Sequence, residues 1–291
     1  MAENNNSAKK EPRYNLLGHS EKIQVLLMKH IAEKDLENLL KIPQMKKTFD
    51  KYEGEFPPPS EFSDDTVMTF VCNDDLFYMG ITRQSRRSTR LVNPSAQTLQ
   101  RYLKGAQFLH IELKNKVPEY FKVDHENYEK LKNGLKGYRN IRIVRIITQG
   151  VLAPFDIACL FTASRTLLLH PVGRDLQMPS PDFFNLKPNT LSVESHTMSN
   201  EMKQMILDNM KIEDLRMESD EPLSLDAVIQ EWQQGQRDIG SIQITFSAHV
   251  RHRLVNAKYV RKNASGLDEK VTLTTSCWNN KKICNLRDSR Y

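Results

Sequence analysis

Apolar residues along this 291-residue chain recur at two periods. In PLSLDAVIQEWQQGQRDIGSIQITF (Pro222–Phe246), Leu225, Val228, Ile229 and Trp232 stand three and four positions apart, which places them on one face of a helix. Gly235 falls where a helix C-cap takes a residue without a Cβ. Ile239, Ile242 and Ile244 then begin a short strand, whose alternate side chains point the same way. One helix and one strand cannot bury both of their apolar faces alone. The pattern therefore predicts neighbours of the same kind.

Apolar-x-apolar strand signatures occur upstream at Leu109/Ile111, Ile141/Ile143, Leu167/Leu169, Leu191/Val193 and Leu215/Met217, and end at Ile242/Ile244. They are offset by 32, 26, 24, 24 and 27 residues, and most follow a helical pattern such as Leu99–Tyr102–Leu103 or Met202–Met205–Ile206. One strand plus one helix every twenty-odd residues is the period of a leucine-rich-repeat-like solenoid. The strict consensus and its asparagine ladder are missing, so the expected fold class is α/β with an irregular leucine-rich-repeat-like β/α repeat domain. An ordinary α/β domain with strands at similar spacing is the alternative. Val67–Cys72 and Leu76–Thr82 predict a hairpin around Asn73–Asp75. Lys270–Trp278 and Lys281–Leu286 predict another across Asn279–Asn280, with Cys277 and Cys284 as diagonal neighbours on one face. Between them, Ala248–Lys262 reads as a basic helix carrying His249 and His252.

The N-terminal part has a different rhythm. Residues 1–13 are polar and read as a disordered tail. Residues 14–53 predict three short helices. Ser20 starts the first, with Ile23, Leu26, Leu27 and Ile31 as its stripe. Leu36, Leu39 and Leu40 mark the second, which stops before Pro43 because the residue before a proline disfavours the α region. Met45 and Phe49 mark the third. A cluster of about 40 residues has little interior, so another protein should cover part of its apolar surface. Residues 54–65 contain three consecutive prolines and read as a stiff linker to a body spanning 66–291.

Composition narrows the function. With 39% hydrophobic and 27% charged residues the chain has enough apolar material to fold as a globular protein. No apolar run approaches the ~20 residues of a membrane span. The segment MAENNNSAKK lacks the apolar core of a signal peptide. Four scattered cysteines without a CxxC pair exclude a disulfide scaffold and a zinc site of that type, and place the chain in the reducing cytoplasm or nucleus. Glycine-rich phosphate loops, HExxH and GxSxG are missing, so neither an enzyme nor a cofactor is expected. Arg83, Arg86, Arg87 and Arg90 within Thr82–Arg90 offer a phosphate, phosphopeptide or nucleic-acid contact, but no aromatic interleaves them to stack a base. The net charge of +6 permits an acidic partner. His249 and His252 share a helix face without a third metal ligand nearby.

Two stretches resemble known modules. Leu16–Leu17, the helix with Ile23, Leu27 and Ile31, then Lys34–Asp35–Leu36 and Leu39, are similar to an F-box. His19–Ser20 stands where that motif usually has Leu-Pro, which removes a pre-set first helical position. Leu225–Trp232 with Gly235 resembles the Leu-Asn-x-Phe-Leu-x-x-Trp core of the F-box-associated domain, from a family expanded in nematodes; Asp226, Val228 and Ile229 depart from it. The resemblance implies a substrate-recognition adaptor of a cullin–RING ubiquitin ligase. Leu16, Leu17, Ile23, Leu27, Ile31, Leu36 and Leu39 would dock on the Skp-type linker protein, which carries the cullin, and the body would bind an unknown protein target. A ligase-independent interaction scaffold is the competing expectation, and a nucleic-acid binder a more distant one.

Overall fold

Pro43 does two things at once: it ends one helix and starts the next. In the computed structural model, which describes residues 16–57, 67–73, 76–82, 89–114, 126–135, 141–151, 153–173, 175–247, 256–278 and 281–289, α1 (Glu21–Met28) and α2 (Glu33–Leu39) precede α3 (Pro43–Tyr52). Pro43 occupies the first turn of α3, where its missing N–H costs nothing. Val25, Met28, Leu36, Met45, Phe49 and Phe56 form a small core of their own.

The body is built on twelve strands. After β1 (Val67–Asn73), β2 (Leu76–Thr82) and β3 (Thr89–Val92) come α4 (Ala96–Leu103), β4 (Phe108–Lys114), α5 (Glu126–Leu135) and β5 (Ile143–Gln149). Then follow α6 (Pro154–Ala158), β6 (Thr166–Val172), α7 (Pro181–Phe184), β7 (Thr190–Val193), α8 (Asn200–Asn209), β8 (Asp214–Ser219), α9 (Asp226–Gln233) and β9 (Ser241–Ser247). The last three strands are β10 (Asn256–Lys262), β11 (Asp268–Trp278) and β12 (Lys281–Asp288). All belong to one sheet in the order β10-β11-β12-β9-β8-β7-β6-β5-β4-β1-β2-β3. The central seven, β1 and β4 to β9, are parallel, while β2–β3 and β10–β12 pair antiparallel at the two edges.

From β4 to β9 each crossover steps to the next strand in the same direction. Right-handed crossovers that never reverse put every helix on the same face. Burial follows. Met68, Leu109, Val144, Leu167, Leu191, Leu215, Ile242 and Leu286 stand side by side in register, each essentially fully buried. They share one core with Leu99 and Leu103 of α4, Ile206 of α8 and Trp232 of α9. At about 25 cal/mol per Å² of apolar surface, each buried leucine of this row is worth ~1.5–3 kcal/mol. The alternate residues of the same strands do not enter that core.

The helix ends obey local rules. Ser95 and Ser199 cap α4 and α8 by accepting from the Thr98 and Met202 amides at 3.0 and 3.2 Å. Gly235, at φ +73°, closes α9 with the paired bonds Gln236 N–H to Glu231 O and Gly235 N–H to Trp232 O. Buried Arg237 donates to the Leu207 and Met210 carbonyls left open at the end of α8. Arg261 stacks on the Trp232 ring at 4.8 Å and pairs with Glu269 and Asp238.

The N-terminal helices are tied to the body through α4. Glu53 accepts from Thr98 Oγ1 at 2.6 Å and pairs with Arg101, which lies 5.2 Å from the Phe49 ring. Gln97 accepts from the Gly54 amide, and Lys104 and Arg101 donate to the carbonyls of Phe56 and Pro57. The first residues of the stretch read as a linker are thus packed; residues 58–65, and the tail 1–13, lie outside the described residues.

Three sequence expectations need correction. The inward pair of β5 is Val144/Ile146, opposite Leu109 and Ile111, in place of Ile141/Ile143. Residues 143–147 are apolar on both faces, so pairing and not alternation chooses the register. Asn256–Lys262 is an edge strand and not the end of a basic helix: Ala257, Tyr259 and Arg261 are half-buried between exposed neighbours, a period of two. Residues 248–255 lie outside the described residues. Thr89–Val92, expected within an arginine loop or just after it, pairs with β2 as a strand.

Neighbouring residues of β8 separate the two faces experimentally. Leu215→Ala should cost ~2–5 kcal/mol in urea unfolding because it opens a cavity in the core. Arg216→Ala, one residue on and on the uncovered face, should stay within about 0.5 kcal/mol.

Candidate functional site

The residue between the two inward side chains of each strand points to the opposite face of the sheet, and those residues meet there. His110, Arg145, Leu168, Ser192, Arg216 and Gln243 stand in register across β4 to β9. None is in the core, and among the described residues the helices pack on the other side. Ser192 and Thr190 are short, and around them opens a hollow of about 590 Å³, lined also by Thr166, Leu168, Arg216 and Gln243. Glu194 and Glu218 border it at the carboxyl ends of β7 and β8. Ligand sites of parallel sheets commonly lie at that end.

Charge is arranged in two bands. At the strand ends stand carboxylates: Glu194 lies 3.9 Å from His170, and Glu218 pairs with Lys281 at 2.9 Å and lies 3.4 Å from His196. The hydrogen bond that Lys281 donates to Glu218 holds its ammonium pKa above the ordinary value. In the middle row, burial and then the charge of Arg145 push the His110 pKa down, so this imidazole is neutral near pH 7. Its Nε2 is buried and has no hydrogen-bond partner among the described residues.

The N-terminal helices carry a second candidate surface. Val25 and Met28 turn one face of α1 into the small core. The other face leaves Ile23 at 44% and Leu26 at 57% exposed. Leu17 and Ile42 are also exposed, and Leu27, Ile31 and Leu39 are half-exposed. Leu36, at 7%, is buried in the core of the module and holds it together. The side chain of Leu16 lies outside the described residues. Leu26 and Ile42 are exposed apolar residues beyond the predicted set; Leu26 was legible in the i, i+3 stripe with Ile23, and Ile42 was hidden beside Pro43.

Other sequence candidates are not brought together. Arg83, Arg86, Arg87, His249 and His252 lie outside the described residues, and Arg90 is exposed on β3. No group of three or more His, Cys, Asp or Glu side chains that could hold a metal occurs among the described residues. Cys159 and Cys284 have thiol pKa values raised by burial, the first to about 11, and Cys277 is exposed and free. Among the described residues no helix is long and apolar enough to cross a membrane. No protein-family model, curated protein or solved structure matches the chain.

Lys203 of α8 is only 2% exposed. Burial lowers its pKa below the ordinary 10.5, against the pull of Asp220, Glu218 and Glu221. The unfolded chain therefore binds more protons than the folded one between the lowered value and 10.5, and stability rises with pH across that window. Lys203→Met should melt higher than the parent at pH 7 in calorimetry. Its advantage should shrink as the pH approaches 10.5.

Proposed function

We propose that this chain is a substrate-recognition adaptor of a cullin–RING ubiquitin ligase, docking through its N-terminal helices on a Skp-type linker protein and holding a protein target on its body. The observation that carries the reading is the two-sidedness of α1. Its inner face completes the small core, yet Ile23 and Leu26 stay exposed on the outer one. Exposed apolar side chains in a cluster mark protein contacts, and a helix presents them to a groove at i, i+3 and i+4. The F-box likeness of Leu17, Ile23, Leu27, Ile31, Leu36 and Leu39 supplies the identity of the groove. The order of the parallel strands supports reading the body as an irregular β/α repeat. Such an adaptor catalyses nothing; it raises the effective concentration of the target near the charged ubiquitin carrier.

Purified linker protein should be retained by the immobilised full-length chain, and Ile23→Asp/Leu26→Asp should abolish retention while leaving the melting temperature unchanged. Each buried apolar anchor of such a contact is worth ~1–3 kcal/mol, about 5- to 150-fold in affinity. Retention that ignores both substitutions, or no retention by the parent chain, would sink the adaptor reading in favour of a ligase-independent scaffold.

A further inference from the structure

We propose that the uncovered sheet face seats an extended acidic segment of the recruited protein, which crosses the hollow from Arg216 on its lining to Arg145 on the strand beyond Leu168, with carboxylates on the two arginines. That the segment belongs to a protein marked for ubiquitination rests on the adaptor reading above; the surface itself does not.

The two arginines occupy the same row on β5 and β8, with Leu168 and Ser192 between them. At ~4.8 Å per strand they stand about 14 Å apart, the length of some four residues of extended chain at ~3.3 Å each. Neither guanidinium has a hydrogen-bond or ion-pair partner among the described residues. Of the carboxylates bordering the hollow, Glu218 is paired with Lys281, while Glu194 lies 3.9 Å from His170. His110, next to Arg145, adds no charge near pH 7. Arg145 and Arg216 are thus the cations left open in this row, although Asp214 and Glu218 stand two residues either side of Arg216 on the same face of β8.

Hydrogen-bonding capacity is unspent there too. The side chains of Thr166, Thr190, Ser192 and Gln243 have no partner among the described residues. They can meet a bound backbone between two bidentate arginine–carboxylate pairs, and Leu168 offers an apolar contact. Among the described residues, no aromatic ring on which a nucleic-acid base would stack lines the hollow.

The test is a selection of random 12-residue peptides on the immobilised full-length chain. Enriched peptides should carry paired Asp or Glu residues about four positions apart. Arg145→Glu/Arg216→Glu, with an unchanged melting temperature, should bind the best of them about tenfold more weakly per arginine lost. Replacing its acidic residues by phosphoserine should bring no more than a tenfold gain. The proposal is overturned if no peptide is enriched, if those enriched carry no acidic excess, or if the double variant binds them as the parent does. A phosphoserine peptide preferred more than tenfold overturns the carboxylate assignment. Linker retention, measured on the same double variant, separates the two proposals: peptide binding without linker retention defeats the adaptor reading alone, and retention without peptide binding defeats this one alone.

Discussion

A parallel sheet normally hides both faces beneath helices, and here the direction of the chain forbids it. From β4 to β9 the strand order never reverses, so the crossover helices gather on one side. Each strand must then carry two chemistries, leucine-like toward the helices and polar toward water. Slipping any strand by one residue would exchange them. The row from Met68 to Leu286 thus sets the register of the sheet and, by the same stroke, which side chains face outward.

The outward row is not a neutral by-product. Among the described residues Arg145 and Arg216 have no partner in the middle of the face, whereas Glu194 and Glu218 lie at its carboxyl end near histidines and Lys281. Electrostatics alone would draw arginine and glutamate together. Separation into two bands keeps them apart by strand geometry. At the sheet edges the problem is different: β10 alternates Lys258 and Lys262 with Val260 on its exposed side, charges that discourage pairing with another sheet.

Much of this was legible in the sequence because the core rows are written as apolar-x-apolar. Leu167/Leu169, Leu191/Val193, Leu215/Met217 and Ile242/Ile244 all point inward as expected, and Gly235 closes its helix. Residues 143–147 defeated the pattern, because isoleucines on both faces leave the choice to the partner strands. Asn256–Lys262 defeated it for another reason: an edge strand buries so little that its alternation is faint beside its charge. Five of the six residues of the uncovered-face row stood in the sequence as middle letters of the signatures; Arg145 did not, because the signature at Ile141/Ile143 is centred on Arg142. Only the register brings Arg145, Ser192 and Arg216 onto one line.

Helix α4 belongs to two interiors. Leu99 and Leu103 sit in the core of the sheet, while Gln97, Thr98 and Arg101 grip Gly54, Glu53 and Pro57. A truncation made at the proline stretch, where the sequence invites a boundary, would strip Phe56 and Glu53 of their cover. Any fragment that preserves α1 to α3 must include α4, and α4 brings the sheet with it. The first fifty residues are therefore not a detachable tag: a force or a tilt applied to them is delivered directly to the strands.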